Sequence, residues 1–121
     1  MDLVDPRVPE HSPAIASISE LVRCPHHCFV TRQAMEDMVR MRVTKEAVLE
    51  SIGDHILREK PIYALTQEST GLPAYVFLPC NVDGCELYVK VQISAAGADK
   101  GERLIVISSH PPKFPPPRGK R

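Results

Sequence analysis

From Glu86 to Ile93 the chain alternates without a break: Leu87, Val89, Val91 and Ile93 form an apolar row, and Glu86, Tyr88, Lys90 and Gln92 form a polar one. Successive side chains on a strand point to opposite faces, so this segment is a strand with one dry face and one wet face. That pattern belongs to an antiparallel sheet covered on one side, because a sheet covered on both sides reads as a continuous apolar run. The dry row then needs a second layer, and the first half of the chain must provide it.

Before Pro61 the apolar period is that of a helix. Ser12-Pro13 predicts a helix start, with Ser12 as the cap and Pro13 at the first helical position, where its missing N–H costs nothing. Ile15, Ile18, Leu21 and Val22 follow at helical spacing, and Cys24-Pro25 ends the run. Phe29-Val30 reads as a short extended piece. Thr31 caps a second helix with Ala34, Met35, Met38, Val39 and Met41 on its apolar stripe. Thr44 caps a third, with Glu46 in the first turn and Ala47, Val48, Ile52 and Ile56 on one face; Gly53 weakens it or marks its end.

Past Pro61 the period becomes two. Ile62 to Leu65 is a strand, Glu68 to Gly71 a turn, and Ala74 to Leu78 a second strand. Asn81 to Gly84 is the connection into the long alternating strand. A loop from Ser94 to Gly101 leads to Leu104–Ser108, almost continuously apolar and therefore expected inside the sheet. The expected fold is α+β: two to three N-terminal helices packed on a four-stranded antiparallel twisted sheet, spanning residues 12–110. Residues 1–11 are expected to form an irregular arm. Residues 111–121 are expected to form a proline-rich basic tail of extended polyproline geometry.

At 121 residues with 43% apolar and 25% charged side chains, a chain can bury a core of its own. Fifteen basic and fifteen acidic residues cancel, so steering toward a polyanion is not a property of the whole chain. It would come from local patches, such as Arg32, Arg40, Arg42 and Lys45, or Arg118, Lys120 and Arg121, whose ordinary reading is solvated charge. No run of about 18 apolar residues is present, and the acidic start lacks the apolar core of a secretory signal. The expectation is a cytoplasmic protein with reduced thiols and no membrane contact.

Two groups of residues invite chemistry. Cys24, His26, His27 and Cys28 lie within five residues, and Cys80 and Cys85 flank the hairpin turn, so Cys24, Cys28, Cys80 and Cys85 form an alternative zinc set. Their spacings are looser than C-x2-C knuckles, and small buried thiols explain them equally well. The second group is the wet strand face. Tyr88, Lys90 and Gln92 project side by side, about 7 Å apart. Arg103 opens the last strand and His110 follows it. Cleaving RNA through its 2′-hydroxyl needs a proton acceptor, a proton donor and cations for the developing phosphorane charge, and these side chains offer each. A plain solvated sheet face is the simpler alternative. No Gly-rich phosphate loop, G-x-S-x-G or H-E-x-x-H occurs, so no cofactor is expected. His55 reads as a partly buried helix residue, and the methionines as core filler.

Thr31-Arg32-Gln33-Ala34-Met35-Glu36-Asp37-Met38, followed by Val43-Thr44-Lys45-Glu46-Ala47-Val48, resembles the T-R-H-A-x-x-R-M and I-T-x-E-x-V segments of a bacterial RelE-like domain family. Gln33 and Asp37 stand where that pattern has histidine and arginine. Glu86-Leu87-Tyr88-Val89-Lys90-Val91 and Leu104-Ile105-Val106-Ile107-Ser108 are similar to the L-Y-I-K and V-I-S-F-K strands of MqsR-type toxins. The resemblance spans about residues 29–110. It implies a RelE-like fold and an mRNA-cleaving toxin of a type II toxin–antitoxin system, acting without metal and neutralised by a cognate antitoxin protein. Tyr88 and Lys90 match the family's strand tyrosine and lysine, and His110 falls where the closing lysine stands. A catalytically degenerate binding module of the same fold is the alternative that these departures keep open.

Overall fold

In the computed structural model, residues 2–5, 10–68, 71–95 and 101–111 are described. In chain order the elements are β1 (Asp2–Leu3), α1 (Ser12–Leu21), a 3-10 turn (Pro25–His27), β2 (Cys28–Val30), α2 (Arg32–Met41), α3 (Lys45–Leu57), β3 (Ile62–Thr66), β4 (Pro73–Val82), β5 (Cys85–Ala95) and β6 (Glu102–His110). The fold is α+β, as expected, but the sheet has six strands rather than four, in the order β1-β3-β4-β5-β6-β2. The two strands beyond the expected four are its edges. Two and three residues are too few to show a period: β1 gives no sign in the sequence, and β2 is expected only as the short extended piece Phe29-Val30, without its place in the sheet. β2 runs parallel to β6, and every other pairing is antiparallel. β1 falls in the stretch expected to be an irregular arm: Asp2 and Leu3 pair with Ala64 and Tyr63, and the Val4 amide donates to the Ile62 carbonyl at 2.7 Å.

The three helices cover one face of the sheet. Ile15 and Ile18 of α1, Ala34 and Met38 of α2, and Val48, Leu49 and Ile52 of α3 form one buried cluster with inward rows from the strands. Those rows are Ile62 and Ala64, Tyr75 and Phe77, Leu87, Val89 and Val91, and Leu104 and Val106. β6 is interior, between β5 and β2.

Side-chain caps set the starts of α2 and α3. The Thr31 hydroxyl accepts from the Ala34 amide at 3.2 Å and the Thr44 hydroxyl from the Ala47 amide at 3.0 Å, each satisfying a donor the helix leaves open. α1 differs from expectation. Its cap position is His11, with no side-chain cap, and Ser12 is already helical. α3 continues through Gly53 to Leu57. A Cβ at Gly53 would meet the Val22 side chain at 3.4 Å, an ordinary van der Waals contact, so the packing beside α1 does not itself demand glycine. On α2 the expected five-residue stripe shrinks to Ala34, Met38 and the half-buried Met41; Met35 is 45% and Val39 71% exposed. Asp37 is buried instead and accepts from Gln33 at 3.2 Å and Arg40 at 3.3 Å.

The β4–β5 hairpin is tighter than the four-residue connection expected. Only Asp83 and Gly84 lie outside the strands, at φ 51° and 86°, the left-handed pair that a two-residue primed turn requires. The expected proline-rich tail beyond Pro111 lies outside the described residues. So do Met1 and residues 6–9 of the arm, Ser69 and Thr70 of the first turn, and residues 96–100 of the loop.

Candidate active site on the open sheet face

The side of the sheet opposite the helices is part-covered: Ala74, Val76 and Gln92 on it are buried, Tyr88, Lys90, Arg103 and His110 are half-buried, and Phe29 is exposed. Its side chains include Tyr63, Val76, Tyr88, Lys90, Gln92, Arg103, Ile105, Ser108, His110 and, from β2, Phe29. Alternation alone does not produce this set, because two bulges intervene. On β4 the ladder steps from Phe77↔Val89 to Cys80↔Leu87, so Leu78 and Pro79 together oppose Tyr88. On β6 it steps from Lys90↔Ser108 to Val91↔Val106, leaving Ile107 unpaired. A bulge inserts one residue and reverses which way the following residues point. Without it, His110 would share the parity of the inward Leu104 and Val106. With it, Ser109 turns inward, fully buried, and Ser108 and His110 turn outward.

Thr31 fixes the bulge. Its hydroxyl donates to the Ile107 carbonyl at 3.2 Å while its oxygen caps α2, and its amide donates to the Val106 carbonyl at 3.0 Å.

The result is a direct contact between two residues expected in the site. Tyr88 pairs with His110 across the ladder, and their rings stack with centroids 5.0 Å apart and planes 10° apart. His110 belongs to β6 rather than following it, which is why it faces Tyr88 squarely. Its Nδ1 lies 2.8 Å from the Pro111 carbonyl. A carbonyl can only accept, so Nδ1 carries the proton and Nε2 of the neutral ring keeps its lone pair. Burial pushes the Tyr88 phenol above its ordinary value, so it stays protonated and can donate.

Lys90 is the next outward residue on β5, about 7 Å along the strand from Tyr88. Its ammonium reaches across β4 and donates to the Gln67 side-chain oxygen at 3.1 Å. Arg103 does not join this group. It pairs with Ser94, six positions along β5 from Tyr88, or about 20 Å at strand rise. Its guanidinium instead lies 5.1 Å from the centroid of the Phe29 ring. The structure therefore brings Tyr88 and His110 into contact, sets Lys90 beside them on β5 with its ammonium drawn away to Gln67, and places Arg103 at the other end of the face. Phe29 was read only as part of a short extended piece. Its role as an exposed ring under a cation depends on the parallel β2–β6 pairing, which no local pattern signals.

The alternative zinc set does not assemble. Cys28 pairs with Leu104 on β6, whereas Cys80 pairs with Leu87 on β5, so the two cysteine pairs are more than about 20 Å apart. Cys28 donates its thiol proton to the Leu21 carbonyl at 3.0 Å, and burial raises its pKa. Burial pushes the Cys80 thiol up to about 12, so it behaves as a small apolar side chain. All four cysteines are free thiols.

No described helix is long and apolar enough to cross a membrane. Comparison with known proteins adds no relative: no family model, no curated protein and no solved structure matches the chain.

Proposed function

We propose that the protein is a RelE-superfamily ribonuclease of MqsR type, the toxin of a toxin–antitoxin pair, cleaving single-stranded mRNA on its open sheet face. The observation that carries this reading is the Tyr88–His110 stack. It combines a histidine with a free Nε2 lone pair and a tyrosine that keeps its proton. In the proposed reaction, His110 Nε2 takes the proton of the ribose 2′-hydroxyl, and the resulting oxygen attacks the adjacent phosphorus. Tyr88 donates to the leaving 5′-oxygen, and the products are a 2′,3′-cyclic phosphate and a 5′-hydroxyl. Lys90, released from Gln67, supports the charge of the phosphorane. The chain's own side chains fill every role, so the reaction proceeds without metal. The antitoxin partner would act by covering this face.

The test is cleavage of a single-stranded RNA by purified protein in the presence of a chelator, with analysis of the 2′,3′-cyclic end. His110→Ala and Tyr88→Phe are expected to lose about a hundredfold or more in rate, the usual worth of a positioned acid or base, while keeping the wild-type circular dichroism spectrum. Wild-type rates in both folded variants would refute the site.

The second reading is a binding module of the same fold without catalysis. The Lys90–Gln67 hydrogen bond and the separation of Arg103 favour it, since together they leave no cation resting at the stack. It predicts RNA binding with no cleavage.

A further inference from the structure

We infer that Phe29 and Arg103 form a second nucleotide-binding subsite, a base-stacking platform at the far end of the open face, so that single-stranded RNA lies across both β5 and β6. The inference rests on the RNA reading above and assigns Arg103 a binding role in place of a catalytic one.

The geometry has three parts. First, Phe29 is 44% exposed, although its neighbour Cys28 is fully buried in the core. Strand alternation thus presents a bare ring to solvent on the same face as Tyr88. Second, the Arg103 guanidinium caps that ring at 5.1 Å. A base stacks on either plane, and the arginine adds a fork of donors for a phosphate. Third, the charges are arranged for a polyanion. Outward side chains between the two stacks include Lys90 and Arg103 and, among the described residues, no carboxylate. Glu86 stands past the Tyr88 end of the band, and Glu102, before Arg103, has the parity of the inward Leu104 and so belongs to the other face. The exposed carboxylates Glu46, Glu50 and Asp54 lie on α3, on the helical side. A chain with no net charge therefore carries a band of one sign where the aromatic rings are.

The spacing sets a strand length. Phe29 pairs with Ile105, which pairs with Gln92, so the platform is two strands across and four residues along from Tyr88. That is about 16 Å, or about five nucleotides at the spacing of a stacked strand and fewer if the strand is extended. A short oligonucleotide can occupy one stack, and a longer one both.

The test is binding of fluorescein-labelled 2′-O-methyl oligouridylates, which cannot be cleaved, at one fixed ionic strength, comparing lengths of about three and about eight nucleotides. Wild-type protein is expected to bind the longer strand at least tenfold more tightly than the shorter. Phe29→Leu is expected to lose most of that gain with the short strand unaffected, Phe29→Tyr to keep it, and Arg103→Ala to lose it in part. Tyr88→Ala should weaken both lengths. Phe29 is exposed, so its variants should melt at the wild-type temperature. An equal length gain in wild type and Phe29→Leu overturns this subsite and leaves the RNA reading standing. Failure of both oligonucleotides to bind the wild-type protein overturns the RNA reading, and the subsite with it.

Discussion

His55 should make the fold sensitive to mild acid, and the size of the effect follows from its surroundings. The residue is 2% exposed on α3, with its ring edge-on to Phe77 at 5.1 Å. Its Nε2 lies 2.6 Å from the Pro61 carbonyl and so carries the proton, while the buried Nδ1 has no partner among the described residues. Adding a proton at Nδ1 would bury a cation with nothing to accept from it. Burial therefore lowers the His55 pKa below 6.5, and nearby Lys60 lowers it further against the opposing pull of the Pro61 carbonyl and Asp54. The folded pKa is the lower one, so the contribution is complete above about pH 6.5 and declines as the unfolded chain takes up its proton below that. The slope is at most about 1.4 kcal/mol per pH unit and vanishes once the folded pKa is passed.

The perturbation is His55→Gln, whose amide can still donate to the Pro61 carbonyl but does not titrate. Its own cost is lost contact with Phe77, about 0.5–1.5 kcal/mol and independent of pH. Urea unfolding from pH 7.5 to 5.5 should bring the two proteins together. The wild type should lose up to about 1.4 kcal/mol more than the variant, or roughly half a molar or more in midpoint. Parallel curves over that range would refute the reasoning, as would a His55 pKa of 6.5 or higher by NMR.

Two further substitutions probe the β6 bulge. Ser109 is fully buried and its hydroxyl has no partner among the described residues, so Ser109→Ala should raise stability by about 1 kcal/mol in the same urea assay. Thr31→Ala removes both the α2 cap and the bond to Ile107. It should cost about 1–2 kcal/mol and also slow RNA cleavage, because His110 loses the anchor that aims it. Thr31→Ser, which keeps the hydroxyl, should restore most of both.

What the sequence made legible was local. Thr31 and Thr44 cap the helices they precede because a cap depends on three or four neighbouring residues. Tyr88 and Lys90 share the wet face because alternation along β5 is unbroken. What it hid was pairing. Pro111-Pro112 marks a strand end, so His110 read as a residue past the sheet, yet antiparallel register carries the ladder through it to Tyr88. The same register sends Arg103 to the opposite end, which no count along β6 alone could show. Met35 and Val39 fit a helical stripe as well as Ala34 and Met38 do. Only the direction from which β6 approaches α2 decides which residues are covered, and Asp37, tied to Gln33 and Arg40, takes a buried place that hydropathy would deny it.

The bulge at Ile107 also gives the candidate site a binary character. Beyond the bulge, which side of the sheet His110 faces depends on how many residues separate it from Ser108, and not on their identities. A single-codon insertion between Ser108 and Ser109 would send the imidazole into the core and bring Ser109 to the surface, whereas loss of Ile107 itself would straighten the strand and leave His110 opposite Tyr88. Every other residue of the proposed centre would be unchanged. Among chains built this way, active and silent forms can differ in length by one residue and still look alike position by position.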